Sequence, residues 1–271
     1  MSRNFTNTFF KKGIYRMKVK YLLTGVTVLF IVSLLTTSGY AKLDLGTCVG
    51  MWLLDEDKGD TAMDSSGNQN DGTLKNDPKW VEGKFGRALE FDGGNYVEVP
   101  ASESFFYEEG YTFALWFKAN NVNSQQGPIG QNGNGQYINF WMNSNQLRWE
   151  TDAGQNFFSS VTIEADQWYH AVGTYDFSTG MAKIYIDGEF DKEIAFTSDM
   201  DFTTIPVIIG GYGVGSYPFN GTIDEIAIFN VPLEEGDIQD IATKGLGVAT
   251  GIAAVEPSDK LATTWANIKS K

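Results

Sequence analysis

Short hydrophobic runs separated by turn residues occupy most of the chain between residues 48 and 230. The run Tyr111 to Lys118 alternates large apolar side chains at every second position, which is the period of a β-strand. The sequence D-G-G-N separates the runs Arg87–Phe91 and Tyr96–Val99 and predicts a tight turn between them. No helical period precedes Glu234. The pattern therefore predicts an all-β protein, an antiparallel jelly-roll sandwich of two sheets.

One short helix is predicted after the last strand, from Pro232 to Lys244, with acidic residues at its start and Lys244-Gly245 at its end. The segment after it, Gly245 to Ala254, is rich in glycine and alanine, as is typical of a linker. We therefore predict a β-sandwich domain over 42–245 and a linker with a C-terminal tail over 246–271.

The first 41 residues have the composition of a signal peptide. Basic residues precede an apolar run from Tyr21 to Leu35, and small and polar residues follow up to Ala41. The apolar run is shorter than the ~20 residues of a typical membrane span. Cleavage would leave no membrane span and a protein that is secreted, periplasmic or on the cell surface. A retained anchor is the alternative, and Met17 is a second candidate start.

The charge of the chain argues against several function classes. The formal net charge is −14, and the first 41 residues contain no acidic residue, so the rest of the chain is even more acidic. Such a surface repels nucleic acid, whose phosphates require Lys and Arg. The single histidine, His170, has no second histidine with which to form a zinc site and is expected in or near the core.

Two separated stretches contain the residue types that bind hard cations. Asp64 to Gly72 reads D-S-S-G-N-Q-N-D-G, and Gly221 to Ile226 reads G-T-I-D-E-I. Calcium is held by carboxylate and amide oxygens together with backbone carbonyls that flexible turns direct inward. If the two stretches meet in space, they would hold one calcium ion.

A series of motifs in order resembles the LamG-like jelly-roll domains of the concanavalin A-like lectin/glucanase superfamily. The series includes G-M-W-L-L-D-E, the Asp64 stretch, W-V-E-G-K-F-G-R-A-L-E-F-D-G, F-A-L-W-F-K, W-Y-H-A-V-G-T-Y-D, I-Y-I-D-G and G-T-I-D-E-I-A-I-F-N, over residues 48 to 244. The resemblance implies two curved sheets packed face to face and a structural calcium (Ca2+). Its implied ligands are Asp64, Asn68, Asn70, the Gly72 carbonyl and Asp224.

Aromatic residues next to amide side chains suggest a sugar site, because sugars pack on aromatic rings and bond to amides and carboxylates. The candidate ligand-binding residues are Asn132, Asn134, Tyr137, Trp141, Trp149, Tyr212 and Tyr217. We therefore expect a secreted, calcium-stabilised module that binds a glycan or an extracellular protein partner. A structural or adhesive domain without sugar binding is the alternative.

Catalysis is a third possibility, and it depends on the sequence E-F-D-K-E from Glu189 to Glu193. On a regular strand its three carboxylates would share one face, and retaining glycosidases need two carboxyl groups about 5 Å apart. The segment follows Y-I-D-G, however, which is typical of a hairpin turn. We therefore predict that the protein is not an enzyme.

Overall fold

A computed structural model describes residues 43–133, 136–151, 156–195 and 202–252 of the chain. The predicted signal peptide and the predicted tail after residue 252 lie outside these ranges. Within them, the chain forms two antiparallel sheets of eight strands each, followed by two short α-helices. The predicted all-β, two-sheet sandwich is confirmed.

The first sheet is built around three long central strands. Its members are β1 (Cys48–Trp52), β4 (Lys79–Glu82), β5 (Arg87–Asp92), β7 (Gly110–Ala119), β12 (Trp168–Asp176), β13 (Met181–Ile186), β14 (Glu189–Ala195) and β16 (Asn220–Phe229). Their order is β14-β13-β12-β7-β16-β5-β4, and β1 also pairs with β16. The central strands β12, β7 and β16 therefore hold the sheet together.

The second sheet is formed mostly by hairpin partners that follow one another in sequence. Its members are β2 (Thr61–Ala62), β3 (Gly72–Lys75), β6 (Tyr96–Val99), β8 (Gln126–Gly133), β9 (Gln136–Asn143), β10 (Gln146–Thr151), β11 (Asn156–Thr162) and β15 (Val207–Ile209). Their order is β11-β10-β9-β8-β15-β6-β3-β2. The glycine-rich loop 210–219, which follows β15, lies on the outer face of this sheet.

The main core fills the space between the sheets. Phe113, Leu115 and Phe117 of β7 are fully buried there, together with Phe140 and Trp149 of the second sheet, whose ring centroids are 4.5 Å apart. Burial of a large apolar side chain contributes about 1.5–3 kcal/mol. The alternation seen in the sequence is thus what brings the two sheets together.

The two helices pack against the outer face of the first sheet. They are α1 (Glu235–Lys244) and α2 (Leu246–Thr250), and Gly245 between them has a φ of +79°, a value that favours glycine. Ile238, Ile241 and Leu246 are buried in a second apolar cluster against that face. The predicted single helix is thus followed by a second one, because Leu246 has an apolar surface to cover. No helix in the described ranges is long and apolar enough to cross a membrane.

Candidate functional site

The Asp64 loop is organised around the carboxylate of Asp64. This carboxylate accepts hydrogen bonds from the backbone amides of Met51 (2.9 Å), Ser66 (2.8 Å) and Asn70 (2.9 Å), and from the Ser66 hydroxyl (2.8 Å). Both of its oxygens are engaged by donors. A cation could reach them only if the loop released some of these hydrogen bonds.

The same loop covers the free edge of strand β1, which pairs with β16 on its other side. The side-chain amide of Asn68 donates to the Cys48 carbonyl (3.0 Å), and that of Asn70 donates to the Val49 carbonyl (2.7 Å). The Ser65 amide donates to the Met51 carbonyl at 2.7 Å. Unpaired edge groups can recruit other strands, so the loop protects the sheet.

Asp224 lies in a different hydrogen-bonded group. It is fully buried, and its Oδ2 accepts hydrogen bonds from the backbone amides of Lys84 (2.8 Å) and Phe85 (2.9 Å). Burial raises the pKa of Asp224 to about 8, and the adjacent Glu225 adds to the effect. Gly72, the fifth implied ligand, lies in β3 and pairs with Ala62.

In this conformation, hydrogen-bond donors already contact both oxygens of Asp64 and one oxygen of Asp224. In the described parts of the chain, no group of three or more His, Cys, Asp or Glu side chains is arranged to hold a metal ion. The hydrogen bonds of Asp64 and those of Asp224 lead to different segments of the chain. The calcium site stays a prediction, and the hydrogen bonds give the Asp64 loop a structural role without it.

Aromatic side chains converge on the outer face of the second sheet. We call Tyr137, Trp141, Tyr212 and Tyr217 the aromatic cluster. The rings of Trp141 and Tyr217 are stacked, with centroids 5.7 Å apart and planes at 14°. Tyr212 meets the Tyr217 ring edge-on at 5.2 Å and lies 6.2 Å from the Tyr137 ring. Tyr217 is 39% exposed, so it presents an aromatic surface to solvent.

Charged and amide groups lie beside the aromatic cluster. The Arg148 guanidinium lies over the Trp141 ring at 4.3 Å, and its Nη2 is 3.5 Å from Oε1 of Glu150. The other oxygen of Glu150 accepts a hydrogen bond from the Tyr212 hydroxyl at 2.7 Å. Burial, and then this hydrogen bond, raise the pKa of Tyr212, and burial lowers the pKa of Arg148. Tyr212 is therefore a stable donor to a carboxylate.

Several buried polar atoms of this region have no hydrogen-bond partner among the described residues. They are Oδ1 of Asn132, Oδ1 of Asn139, Nε1 of Trp141 and Nε of Arg148. Buried polar groups are nearly always paired, with protein, water or a ligand. These atoms have almost no contact with solvent, so a ligand could bond to them only if the side chains around them moved.

Strand register explains why these side chains meet. Arg148 is opposite Trp141, and Glu150 is opposite Asn139, so all four project from the outer face of the sheet. Gly130 lies under the loop, where an added Cβ would be 2.2 Å from the Tyr212 carbonyl oxygen. The Asn132 side-chain amide donates to that same oxygen. Gly130 thus leaves room for the loop to approach the sheet, and the Asn132 amide holds the loop there.

The structure brings together five of the predicted ligand-binding residues: Asn132, Tyr137, Trp141, Tyr212 and Tyr217. Asn134 lies outside the described residues. Asn139, Arg148 and Glu150 were not predicted. Their signal was available, since a charged residue stands on each side of Trp149 and a polar one two places before Trp141.

Trp149 is corrected from a ligand-binding residue to a core residue. It lies between Arg148 and Glu150 in β10, so it points to the opposite side of the sheet and is fully buried. Its ring covers Gly173 of the first sheet, where an added Cβ would be 2.4 Å from the indole. Trp149 therefore joins the two sheets and cannot reach a ligand on the outer face.

The E-F-D-K-E segment does not place its carboxylates on one face. It forms the edge strand β14, in which Glu189 pairs with Ile186 and Glu193 pairs with Lys183. Ile186 faces the main core, and Lys183, three positions earlier in β13, faces the opposite side of the sheet. Each glutamate lies on the same face as its partner, so Glu189 and Glu193 lie on opposite faces. The cause is a bulge near Asp191, which shifts the register of β14 by one residue. The shared face expected of a regular strand is therefore absent.

Comparison with known proteins identifies a family that matches the sequence and solved structures that share the fold. The sequence model of a laminin G type family, described as the concanavalin A-like lectin/glucanases superfamily, matches residues 91–239. No curated protein sequence matches the chain significantly.

Solved structures with the same fold come from several larger proteins. Domain 4 of AbnA, an extracellular arabinanase from Geobacillus stearothermophilus solved with arabinotriose, is 20% identical with a TM-score of 0.59, over 73% of this chain and 98% of that one. The binding domain of Paraclostridial Mosquitocidal Protein 1 is 17% identical with a TM-score of 0.61, over 73% and 52%. The Trypanosoma rangeli sialidase, in complex with the inhibitor DANA, is 16% identical with a TM-score of 0.56, over 71% and 32%.

The chain thus spans nearly all of the arabinanase domain, about half of the toxin domain and about a third of the sialidase. Identities at this level show a shared fold and nothing finer. The family model, in contrast, matches more than half of the 271 residues. The chain therefore belongs to the concanavalin A-like lectin/glucanase superfamily.

Proposed function

We propose that this protein is a carbohydrate-binding module and that the aromatic cluster, with Arg148 and Glu150, is its glycan site. The observation that carries the proposal is the convergence of stacked aromatic rings, including the exposed ring of Tyr217, with the Arg148–Glu150 pair on one sheet face. Sugar rings offer C–H faces to aromatic rings and hydroxyl groups to polar side chains.

The electrostatics of the face favour neutral glycans over acidic ones. Arg148 and Glu150 compensate each other's charge at the cluster. The remainder of the molecule is acidic, with a net charge of −14 for the whole chain, and repels polyanions at long range. A neutral polysaccharide meets no such repulsion.

Two further considerations support the proposal. The arabinanase domain that shares this fold was solved with arabinotriose, a neutral oligosaccharide. The composition of residues 1–41 predicts export, and polysaccharides are abundant outside the cell. We accordingly propose that the protein acts as a secreted or surface-exposed binding module, without a catalytic role.

Affinity electrophoresis of the full chain tests this function. Gels are cast with arabinan, xylan, mannan, a mixed-linkage β-glucan or polygalacturonate. We expect at least one neutral polysaccharide to retard the protein and Tyr217→Ala to abolish the retardation. The control is Phe106→Ala, which removes an exposed aromatic ring that is not part of the aromatic cluster. Phe106 is 56% exposed, whereas its neighbour Phe105 is the residue that is buried in the core. Equal mobility of the wild type in all gels would overturn the proposal.

A further inference from the structure

The glycine-rich loop that supplies Tyr212 and Tyr217 has a cavity on its other side. The cavity has a volume of about 370 Å³, and its lining includes Asn76, Gly94, Tyr96, Gly211, Ser216 and Pro218. Ligand pockets in proteins have volumes of roughly 300–1,000 Å³. The cavity is thus large enough to hold part of a small-molecule ligand.

Hydrogen bonds fix the wall of the cavity that is formed by the turn after β5. The Asp92 amide donates to Oδ1 of Asn95 (3.0 Å), and the Gly94 amide donates to Oδ1 of Asp92 (2.8 Å). The side-chain amide of Asn76 donates to the Gly94 carbonyl at 2.8 Å. This wall is therefore formed before any ligand arrives.

The opposite wall is the loop itself, which closes on its own backbone. The Tyr212 amide donates to the Ser216 carbonyl, and the Ser216 amide donates to the Gly213 carbonyl, both at 3.0 Å. The Gly127 amide of β8 also donates to the Tyr217 carbonyl at 2.8 Å. Hydrogen bonds thus hold both walls, through side chains in the first wall and through the backbone in the second, which reduces the entropy lost when a ligand binds.

The cavity and the aromatic cluster share one face of the sheet. Tyr96 alternates with the buried Val97 in β6, so it projects from the outer face, as Trp141 does. The loop crosses this face, with Tyr217 on the side of the aromatic cluster and Val214 beside the cavity. Tyr217 is three positions after Val214 in the chain, so their Cα atoms are at most about 11 Å apart.

The chemistry of the lining selects the kind of ligand. The residues that line the cavity offer amide, hydroxyl, phenol and backbone groups, and none of them is charged. Like the amide and hydroxyl groups at the aromatic cluster, these groups can form hydrogen bonds with neutral hydroxyl groups. A charged ligand would find no counter-ion among these residues.

We infer that the cavity is a second subsite for the same glycan chain, which would pass over the glycine-rich loop from Tyr217 to Tyr96. This inference rests on the proposed function, because it concerns a longer segment of the same ligand. It predicts a module that prefers internal stretches of a polymer to mono- or disaccharides.

Calorimetric titration of the full chain with oligosaccharides of two to eight units tests the inference. Linear oligomers of arabinan, xylan, mannan and β-glucan form four series, one for each neutral polysaccharide of the gels. We expect the affinity to rise at least tenfold within a series, once the oligomer is long enough to reach both subsites. Val214→Trp should fill the cavity, since Val214 is 60% exposed and lines it, and should remove the rise while retaining the affinity for short oligomers.

Met63→Trp is the matched control, because Met63 is 59% exposed and does not line the cavity. Binding that is independent of length, or a rise that survives in Val214→Trp, would overturn the second subsite and leave the proposed function intact. Absence of binding at every length, in the wild type and in the control, would overturn both.

Discussion

If the outer face binds glycans as proposed, the pairing of Arg148 with Glu150 should determine which glycans it accepts. The pair is largely shielded from solvent, with side chains 15% and 8% exposed, and Glu150 also accepts from Tyr212. Ion pairs in such surroundings leave an uncompensated charge when one partner is removed. The specificity of the face should therefore respond to the loss of one carboxylate.

We expect Glu150→Gln to weaken neutral-glycan binding severalfold and to create binding of polygalacturonate at low salt, because Arg148 would then lack its counter-ion. Affinity electrophoresis in the two polysaccharides measures both effects. Glu98→Gln is the control, since Glu98 lies on the same outer face and pairs with the exposed Lys75. If Glu150→Gln behaves like this control in both gels, the ion pair has no role in specificity.

Asp224 makes stability depend on pH. Its pKa is about 8 in the folded protein, against an ordinary value of 3.8 for an aspartate. The folded state therefore binds a proton that the unfolded state has released, and the resulting stability is lost as pH rises toward 8. The burial of Glu225, whose pKa is raised to about 7, acts in the same direction.

We expect the free energy of unfolding to fall between pH 5 and pH 8, by up to about 1.4 kcal/mol per pH unit for each such group. Urea denaturation at pH 5, 6.5 and 8 measures it. Asp224→Asn should reduce the slope, because an amide does not titrate, and an unchanged slope would contradict the role of Asp224. Asp57→Asn, at a carboxylate whose side chain is 86% exposed, is the control.

For single residues, the sequence predicts which residue types form the candidate site better than it predicts which way their side chains point. Tyr212 and Tyr217 could be predicted because aromatic residues in a glycine-rich loop have few core positions available. Trp149 could not be distinguished from Trp141 by residue type alone. The difference comes from the alternation of side chains along β10. Arg148 and Glu150 point to the outer face, so the Trp149 indole between them points into the core.

Among the structural elements, the Asp64 loop stabilises a strand edge through the hydrogen bonds of one carboxylate. Asp64→Ala removes four hydrogen bonds to that carboxylate at once. Hydrogen bonds to charged groups contribute about 1.5–3 kcal/mol each in favourable cases, and loop relaxation recovers part of this. We expect a loss of about 2–4 kcal/mol in the free energy of unfolding, measured by urea denaturation.

The same element allows the calcium prediction to be tested separately. If calcium binds here, a chelator should lower the melting temperature of the wild type, and added calcium should restore it. Asp64→Ala should then melt equally with and without chelator. A wild-type melting curve that is the same in chelator and in calcium would refute the metal and leave the hydrogen-bonding role unaffected.

The strands followed from hydrophobic alternation, but the irregular features did not. The predicted tight turn at 92–95 is present, and it connects β5 of the first sheet to β6 of the second. The bulge in β14 reversed the expected arrangement of Glu189 and Glu193, and it depends on pairing with β13 that a local pattern does not contain. The helix Leu246–Thr250 depends in the same way on a distant apolar surface.

For the molecule as a whole, the acidic net charge should affect glycan binding very little. Binding through stacking and neutral hydroxyl groups involves no counter-ion release, so we expect the affinity for a neutral polysaccharide to change less than twofold between 50 and 500 mM NaCl. Calorimetric titration at the two salt concentrations measures it. A loss of tenfold or more would indicate an electrostatic contact and would contradict a neutral ligand.

Both ends of the described chain lie on the side of the first sheet. Leu43 and Leu246 are buried in the same apolar cluster, behind β7 and β12, whereas the aromatic cluster looks out from the other sheet. A fluorescent protein or a surface linkage joined directly to residue 43 or residue 252 would therefore lie behind the first sheet. Immobilised at either of these positions, the domain would still present its tyrosines to a polymer on the opposite side.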